Sequence, residues 1–531
     1  VTRGHLLLLL HAHLPFVRHP EHADFLEEDW FFEALSEVYL PLLDTFDRLA
    51  RDGVPFQLAM SVSPTLAAML ADPVLLGRYA ARLDAACALG DAEVHRTAVH
   101  APAFAEAAAF QRERLHRVRR LFHEVYRHDL LGALRRLEEG GHLELLTCTA
   151  THGFLPLLRS EPASVRAQVK VAVDAHRAHF GRAPRGIWLA ECGYFPGVEE
   201  VLAEHGLRAF FLDVHGLSRG TPPPVFGAYQ PVLTPAGVAA YARDPACSEQ
   251  VWSSEVGYPA DPDYLEFHRD LAHDVDPAWL RPFLNPDSGR RLTGFRYHRV
   301  TGRHGDKAPY RPEVAREKAR LHAAHFVASR VAQLAGVAPL LAPREPVVLA
   351  PYDAELFGHW WAEGPWFLEE VLRQVARVPQ LRSTGPLAYL GRCGELQVVQ
   401  PAESSWGAEG NASTWVSPSN DWIHRHLHVA ALKMVETVAA RPGASGTEGR
   451  ALDQAARELL LAQASDWPFL VQVGGAPEYA ARRVREHLSA CLSLLEQVRS
   501  GTVDGGALSR LEARNNLFPG LDHRVYRPAP T

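Results

Sequence analysis

The chain has 531 residues, enough for two or more domains around at least one large core. Hydrophobic residues make up 47% and charged residues 22%, the ordinary composition of a soluble globular protein. The net charge of −7 excludes an overall positive field that would draw the chain to nucleic acid or an anionic membrane. Lysine occurs only at 170, 307, 318 and 433, so arginine carries nearly all the positive charge, and it is scattered rather than gathered into a phosphate-binding patch.

The first residues, "VTRGHLLLLLHAHLPF", contain a run of five leucines followed by histidines. That run is too short for a signal peptide and lacks a small-residue cleavage site. No stretch approaches the roughly 20 apolar residues of a membrane span. Cysteines 87, 148, 192, 247, 393 and 491 stand singly with no C-x-x-C, which argues against a zinc knuckle or a disulfide framework. The expectation is a cytoplasmic protein.

Short apolar runs, each followed by polar or aromatic residues and then a helical stretch, recur at His5–His11, Phe56–Val62, Leu143–Thr149, Ile187–Glu191, Ala209–Asp213, Val347–Asp353 and Leu396–Gln400. Runs apolar on both faces suit parallel strands covered on both sides. Between them lie segments of helical period such as "EALSEVYLPLLDTFDRLARDG" (33–53), closed by glycine. Seven strands alternating with helices predict an α/β fold, a β/α barrel short of the full eight units, over residues 1–410. The interval 214–345 is too long for one crossover and carries Pro-rich stretches, so it is read as an inserted loop and helical subdomain. Beyond 410 the strand signal fades. "NDWIHRHLHVAALKMVETVAARPG", "TEGRALDQAARELLLAQASDWPF" and "YAARRVREHLSACLSLLEQVRSG" predict amphipathic helices and hence a C-terminal helical domain over 411–531. The Gly-rich and Pro-rich tail after 500 is expected to pack loosely.

Catalytic groups of such barrels sit where strands end. The ends of the proposed strands carry His11 and His13, Ser61 and Ser63, His152, Glu191, Asp213 with His215, and Asp353 with Glu355. His11 and His13 share a face of their strand. Glu191 in "RGIWLAECGYFPG" and Asp353 in "VVLAPYDAELFGHWW" each end an apolar run. Two carboxylates aimed into one mouth are what glycoside chemistry requires, one acting at the anomeric carbon and one on the leaving oxygen. Trp188, Tyr194, Tyr352, Trp360, Trp361 and Trp366 lie nearby in sequence, with Trp30, Trp406, Trp415 and Trp422 further off, and such rings suit the apolar faces of sugars. Taken singly, Glu191 or Asp353 is more often a cap or an ion-pair partner. His11-x-His13 with His152, His215 and His359 leaves metal-dependent hydrolysis open as a minority reading.

The motifs "HAHLPF" (11–16), "WLAECGYFPG" (188–197), "VWSSEVGYP" (251–259), "TGFRYHRVTG" (293–302), "APYDAELFGHWWAEGP" (350–365), "SSWG" (404–407) and "SDWPF" (465–469) resemble those of glycoside hydrolase family 57, and within it most of all the 1,4-α-glucan branching members. The resemblance spans nearly the whole chain. It implies a distorted (β/α)7 barrel, an α-glucan substrate, no cofactor and no metal. It also implies a retaining mechanism with Glu191 as nucleophile and Asp353 as acid/base. By the same resemblance Arg269, Gly289, Trp406 and Asp466 contact substrate, and Tyr241, in "LTPAGVAAYARDPACSEQVW" (233–252), is the tyrosine near the tip of a mobile loop that favours a sugar acceptor over water. His11, His13 and His152 are expected to bind sugar hydroxyls or orient the carboxylates. The alternatives use the same site with water or a 4-hydroxyl as acceptor, as an α-amylase or a 4-α-glucanotransferase. A glucan-binding protein with a decayed site and a metal-dependent deacetylase are the readings from other classes.

Overall fold

The computed structural model describes residues 4–253, 256–284, 292–302 and 306–528; Gly289 therefore lies outside the described residues. The described residues form nine strands: β1 (Gly4–Ala12), β2 (Leu58–Val62), β3 (Leu143–Cys148), β4 (Gly186–Trp188), β5 (Ala209–Leu212), β6 (Val232–Leu233), β7 (Ala239–Ala242), β8 (Val347–Asp353) and β9 (Leu381–Ser383). They form one sheet in the order β6-β7-β5-β4-β3-β2-β1-β8, with β9 also on β1. All the barrel pairings are parallel; only β6 against β7 is antiparallel. The Asp244 N–H donates to the Leu349 carbonyl at 2.8 Å, and Arg243 bridges Leu349 in parallel. This contact closes seven strands, β8-β1-β2-β3-β4-β5-β7, into the expected distorted (β/α)7 barrel.

Six of those seven were legible as apolar runs; the seventh was not. The stretch 396–400 is no barrel strand. It lies outside, with Val398 bridging Leu233 and Gln400 bridging Thr221. The seventh strand is β7, AAYA, whose small residues lack the branched bulk that marks a buried strand. Tyr241 on β7 is 1% exposed, and its hydroxyl donates to the Pro386 carbonyl at 2.7 Å. The expectation that it tips a mobile loop is overturned: Tyr241 fills the barrel interior, where alanines on its own strand leave room for one large ring.

Alternation along β1 shows how the barrel is packed. Leu7 and Leu9 point inward with Leu146, Trp188, Phe211, Tyr241 and Leu349. Leu6, Leu8 and Leu10 point outward into the helical layer. One covering helix, α2 below (Pro312–Leu341), is long and apolar enough by length and composition to cross a membrane, although the sequence showed no unbroken run. Its Ala315, Ala319, Ala323, Phe326, Val327 and Leu334 are buried in the core.

The helices used below are α1 (Pro162–Phe180), α2 (Pro312–Leu341), α3 (Gly364–Arg377), α4 (Asp421–Ala440), α5 (Gly446–Ala462), α6 (Asp466–Val473), α7 (Pro477–Ser500) and α8 (Gly505–Arg514). α4, α5 with α6, and α7 are the C-terminal helices that the periodicity predicted, with one difference that matters. The segment read as one helix from 447 breaks at Gln463–Ser465, and α6 begins afresh at Asp466. Over its described residues the tail after 500 is not loose: it forms α8, and Leu517, Phe518, Leu521 and Tyr526 are buried.

Candidate active site

β1 stands at the centre of the site. In the sheet register His11 is opposite Ser61 of β2 on one side and Asp353 of β8 on the other, so three polar side chains are delivered to one end of the barrel by strand geometry alone. β4 ends at Trp188, two residues before the turn Ala190–Cys192 that carries Glu191. Glu191 (φ 61°), Cys192 (φ 52°) and His152 (φ 60°) all adopt left-handed backbone, a conformation that costs about 1–3 kcal/mol per residue and gathers at functional sites. The strain is held from outside. Trp406 N–H donates to the Glu191 carbonyl (2.9 Å), and Ser465 N–H to the His152 carbonyl (3.0 Å).

The two carboxylates have different surroundings. Glu191 receives two donors, the Trp406 Nε1–H at Oε2 (2.7 Å) and the Ser465 hydroxyl at Oε1 (3.1 Å). Burial raises its pKa, and the Trp406 hydrogen bond works against that rise. Among the described residues no side-chain donor bonds Asp353. Burial, with the charges of Glu355 and Glu191 added, holds its carboxyl well above the ordinary range. Glu191 is thus the carboxylate equipped to stay ionised and Asp353 the one disposed to keep its proton. Glu191 is also near enough for its charge to act on Asp353, as expected of a pair sharing one mouth.

Glu355, next along from Asp353, accepts from the Tyr39 hydroxyl (2.5 Å) and the His13 N–H (3.2 Å). Tyr39 ends a π-helical turn, Leu35–Tyr39, inside the helical stretch 29–51, a distortion common at functional sites. The loop after β8 presses on that turn. Gly358 (φ 125°) approaches the Glu37 carbonyl so closely that a Cβ would stand 1.8 Å from it.

Of the residues expected from sequence, the structure gathers His11, His13, His152, Trp406 and Asp466 about the pair. His13 Nε2 lies 3.1 Å from both oxygens of Asp466, and His152 Nδ1 lies 3.7 Å from Glu191 Oε1. Burial and the neighbouring histidines push His11 and His152 well below the ordinary imidazole range. The indole of Trp406 meets Trp188 edge-on at 5.0 Å, beneath the Arg243 guanidinium at 6.0 Å. Arg243 and His215 both pair with Asp213, and His215 Nε2 bonds the Gly410 carbonyl at 2.9 Å, so these residues fix the loop that carries Trp406. His13, His152 and Asp466 present ligand atoms within 4.8 Å of one another. The rings of His13 and His152 are stacked 3.7 Å apart and nearly parallel, which aims their in-plane lone pairs side by side rather than at one point.

Other expectations fare differently. Trp415 is 1% exposed and stacks on Phe154; it lies beneath Gly407 and cannot offer a face to a sugar. Trp360 is 44% exposed beside Trp252 (6.1 Å), and Trp30 is half-buried with its edge against Tyr479. Arg269 is exposed and paired with Asp274 at 2.6 Å, with no described contact to the carboxylates. Ser465 and Tyr39 were not singled out from sequence. Ser465 had a signal, its place just before Asp466 in a quoted motif, whereas Tyr39 is hidden in ordinary helical periodicity.

With this geometry in place, comparison with known proteins decides the family. Residues 7–387 match the family description Glycosyl hydrolase family 57, and residues 426–526 match 1,4-alpha-glucan branching enzyme, C-terminal. The chain belongs to glycosyl hydrolase family 57. A 1,4-alpha-glucan branching enzyme of Thermococcus kodakarensis is 33% identical over 97% of this chain and 77% of its own. Among solved structures, an alpha-amylase from Thermotoga maritima is 38% identical, covers all of both chains and superimposes with a TM-score of 0.93. A branching enzyme of this family from Pyrococcus horikoshii is 32% identical, covering 100% of this chain and 98% of its own, with a TM-score of 0.88. The family 57 match covers every strand end that supplies a site residue, and the second match covers Ser465 and Asp466.

Proposed function

We propose that the protein is a 1,4-α-glucan branching enzyme, acting by double displacement through Glu191 and Asp353. The observation that carries this reading is the joint construction of the nucleophile's surroundings. Glu191 comes from the barrel, while the hydroxyl that bonds it, Ser465, comes from the C-terminal stretch matching branching enzymes. In the first step Glu191 attacks the anomeric carbon of an α-1,4-linked glucan, the C1–O4 bond breaks, and the departing O4 takes the proton of Asp353. In the second step Asp353 takes the proton of a glucose 6-hydroxyl on another chain. The oxygen attacks C1 and frees Glu191, leaving an α-1,6 branch. No metal or cofactor enters this scheme. Trp406, Asp466, Arg269 and Trp360 are proposed substrate contacts, with Trp30 at the outer wall. Glycogen-type polymer synthesis in the cytoplasm is the proposed setting, and six free cysteines are consistent with a reducing compartment.

A second reading has support of its own. With Tyr241 inside the barrel, the loop tyrosine that would favour a sugar acceptor is not supplied by that residue, and the Thermotoga maritima relative is an alpha-amylase. The second reading keeps both carboxylates and lets water resolve the intermediate. One experiment separates them: incubate with amylose, then digest the product with a debranching enzyme. Release of short linear chains supports branching; new reducing ends without such chains would establish the hydrolase.

A further inference from the structure

His11 and His152 belong to a chain of contacts that runs from β2 to the nucleophile. Ser61 Oγ lies 3.3 Å from His11 Nδ1, His11 Nε2 lies 2.9 Å from His152 Nε2, His152 Nδ1 lies 2.8 Å from Ser465 Oγ, and Ser465 Oγ lies 3.1 Å from Glu191 Oε1. At its far end Ser61 Oγ is also 3.2 Å from the Thr147 carbonyl. We infer that Ser61, His11, His152 and Ser465 form a positioning relay that presents one oriented hydroxyl to Glu191, a proposal that rests on Glu191 being the nucleophile.

Counting protons fixes its direction. Two hydroxyls and two neutral imidazoles supply four hydrogens for five contacts. Buried imidazoles flanked by one another stay neutral, in keeping with the lowered pKa of both rings. One contact must therefore share or lack a proton. The inner contacts, at 2.9 and 2.8 Å, are too short to leave two lone pairs facing each other. The two at Ser61 are the longest, at 3.3 and 3.2 Å, as expected of one hydroxyl divided between two acceptors. The relay thus runs towards the carboxylate: Ser61 to His11 Nδ1, His11 Nε2–H to His152 Nε2, His152 Nδ1–H to Ser465, and Ser465 O–H to Glu191. The tautomers of both rings follow from this polarity.

The surrounding groups fit. Ser465 precedes α6, yet its hydroxyl caps no backbone N–H there, so it is not committed to the helix. A parallel pair, Ser63 Oγ to His13 Nδ1 at 2.9 Å and His13 Nε2 to Asp466, runs beside the relay. The titratable groups facing it are His13 just past β1, Asp466 from α6, Cys148 from β3 and Glu191 itself. Every member is placed by a different element, so the relay exists only when barrel and C-terminal helices are docked.

The test is the pH profile of kcat/KM for turnover of amylose, followed as loss of its iodine complex, which transfer and hydrolysis both lower. Ser465→Ala is expected to lower kcat/KM about 10- to 100-fold, chiefly through kcat, and to move the acid limb to higher pH because the ionised nucleophile loses a donor. Ser465→Thr should restore most of both. Ser61→Ala, four contacts away, should move the acid limb in the same direction by a smaller amount with little change in KM, and it carries the test if Ser465→Ala does not fold. An acid limb unmoved in both variants, or a Thr variant as damaged as the Ala variant, would overturn the relay. Glu191→Gln is the separate control: if it stays active, the assignment of the nucleophile has failed; if it is dead while the serine variants match wild type, only the relay has failed.

Discussion

Replacing Trp406 by phenylalanine removes the indole N–H and leaves a smaller aromatic ring. The ring that meets Trp188 edge-on is kept in kind, and the backbone bond from residue 406 to the Glu191 carbonyl is untouched. What goes is the 2.7 Å bond from Nε1 to Glu191 Oε2. A hydrogen bond to a charged group in a partly buried setting contributes about 1.5–3 kcal/mol. At about 1.4 kcal/mol per factor of ten, kcat/KM should fall roughly 10- to 150-fold. The same loss makes the ionised form of Glu191 less favourable, so the acid limb of the profile should move up in pH. Initial rates of loss of the amylose–iodine complex, taken on samples incubated across pH 4–9, measure both quantities, and a near-UV dichroism spectrum checks that the site still folds. A variant with kcat/KM within about twofold of wild type and an unmoved acid limb would refute the claim that this indole holds the nucleophile in its charged form.

The remaining predictions concern other links in the argument. Glu191→Gln should lower transfer and hydrolysis together, by about 10⁴-fold or more, whereas loss of only one of them would show that a different group attacks the sugar. Because the pKa of Asp353 is raised by burial and by two neighbouring carboxylates, activity should decline on the alkaline side as Asp353 ionises, and Asp353→Asn should remove most of the activity. That raised pKa also means the folded state holds the Asp353 proton more tightly than the unfolded chain does, so its contribution to stability is present at low pH and lost as pH rises through the folded value. The Asn variant should therefore melt higher than wild type at neutral pH but not below about pH 4, a comparison read by calorimetry. Tyr241→Phe should cost about 1 kcal/mol of stability through the lost bond to Pro386 and leave the ratio of branching to hydrolysis unchanged; a changed ratio would return Tyr241 to the acceptor site. Gly358→Ala should destabilise by about 2–4 kcal/mol, because a Cβ at φ 125° meets the Glu37 carbonyl, and a melting temperature equal to wild type would contradict the close approach.

By itself the sequence determined the parts whose signal is local. Six barrel strands show as apolar runs because both of their faces are buried, and the C-terminal helices show by their 3.6-residue stripe. Glu191 and Asp353 show because a carboxylate ending such a run is unusual. Only the tertiary structure decided that β7, made of alanines and one tyrosine, closes the barrel, since what selects small residues there is the space left by the opposite wall. It likewise broke the helix at Gln463–Ser465 and carried Ser465 across to Glu191, 274 residues away in sequence. The left-handed backbone at His152 and Glu191 has no glycine to announce it; the bonds that hold it come from distant Ser465 and Trp406. Periodicity records what one segment buries, whereas the charge state of a nucleophile depends on donors that other segments bring to it.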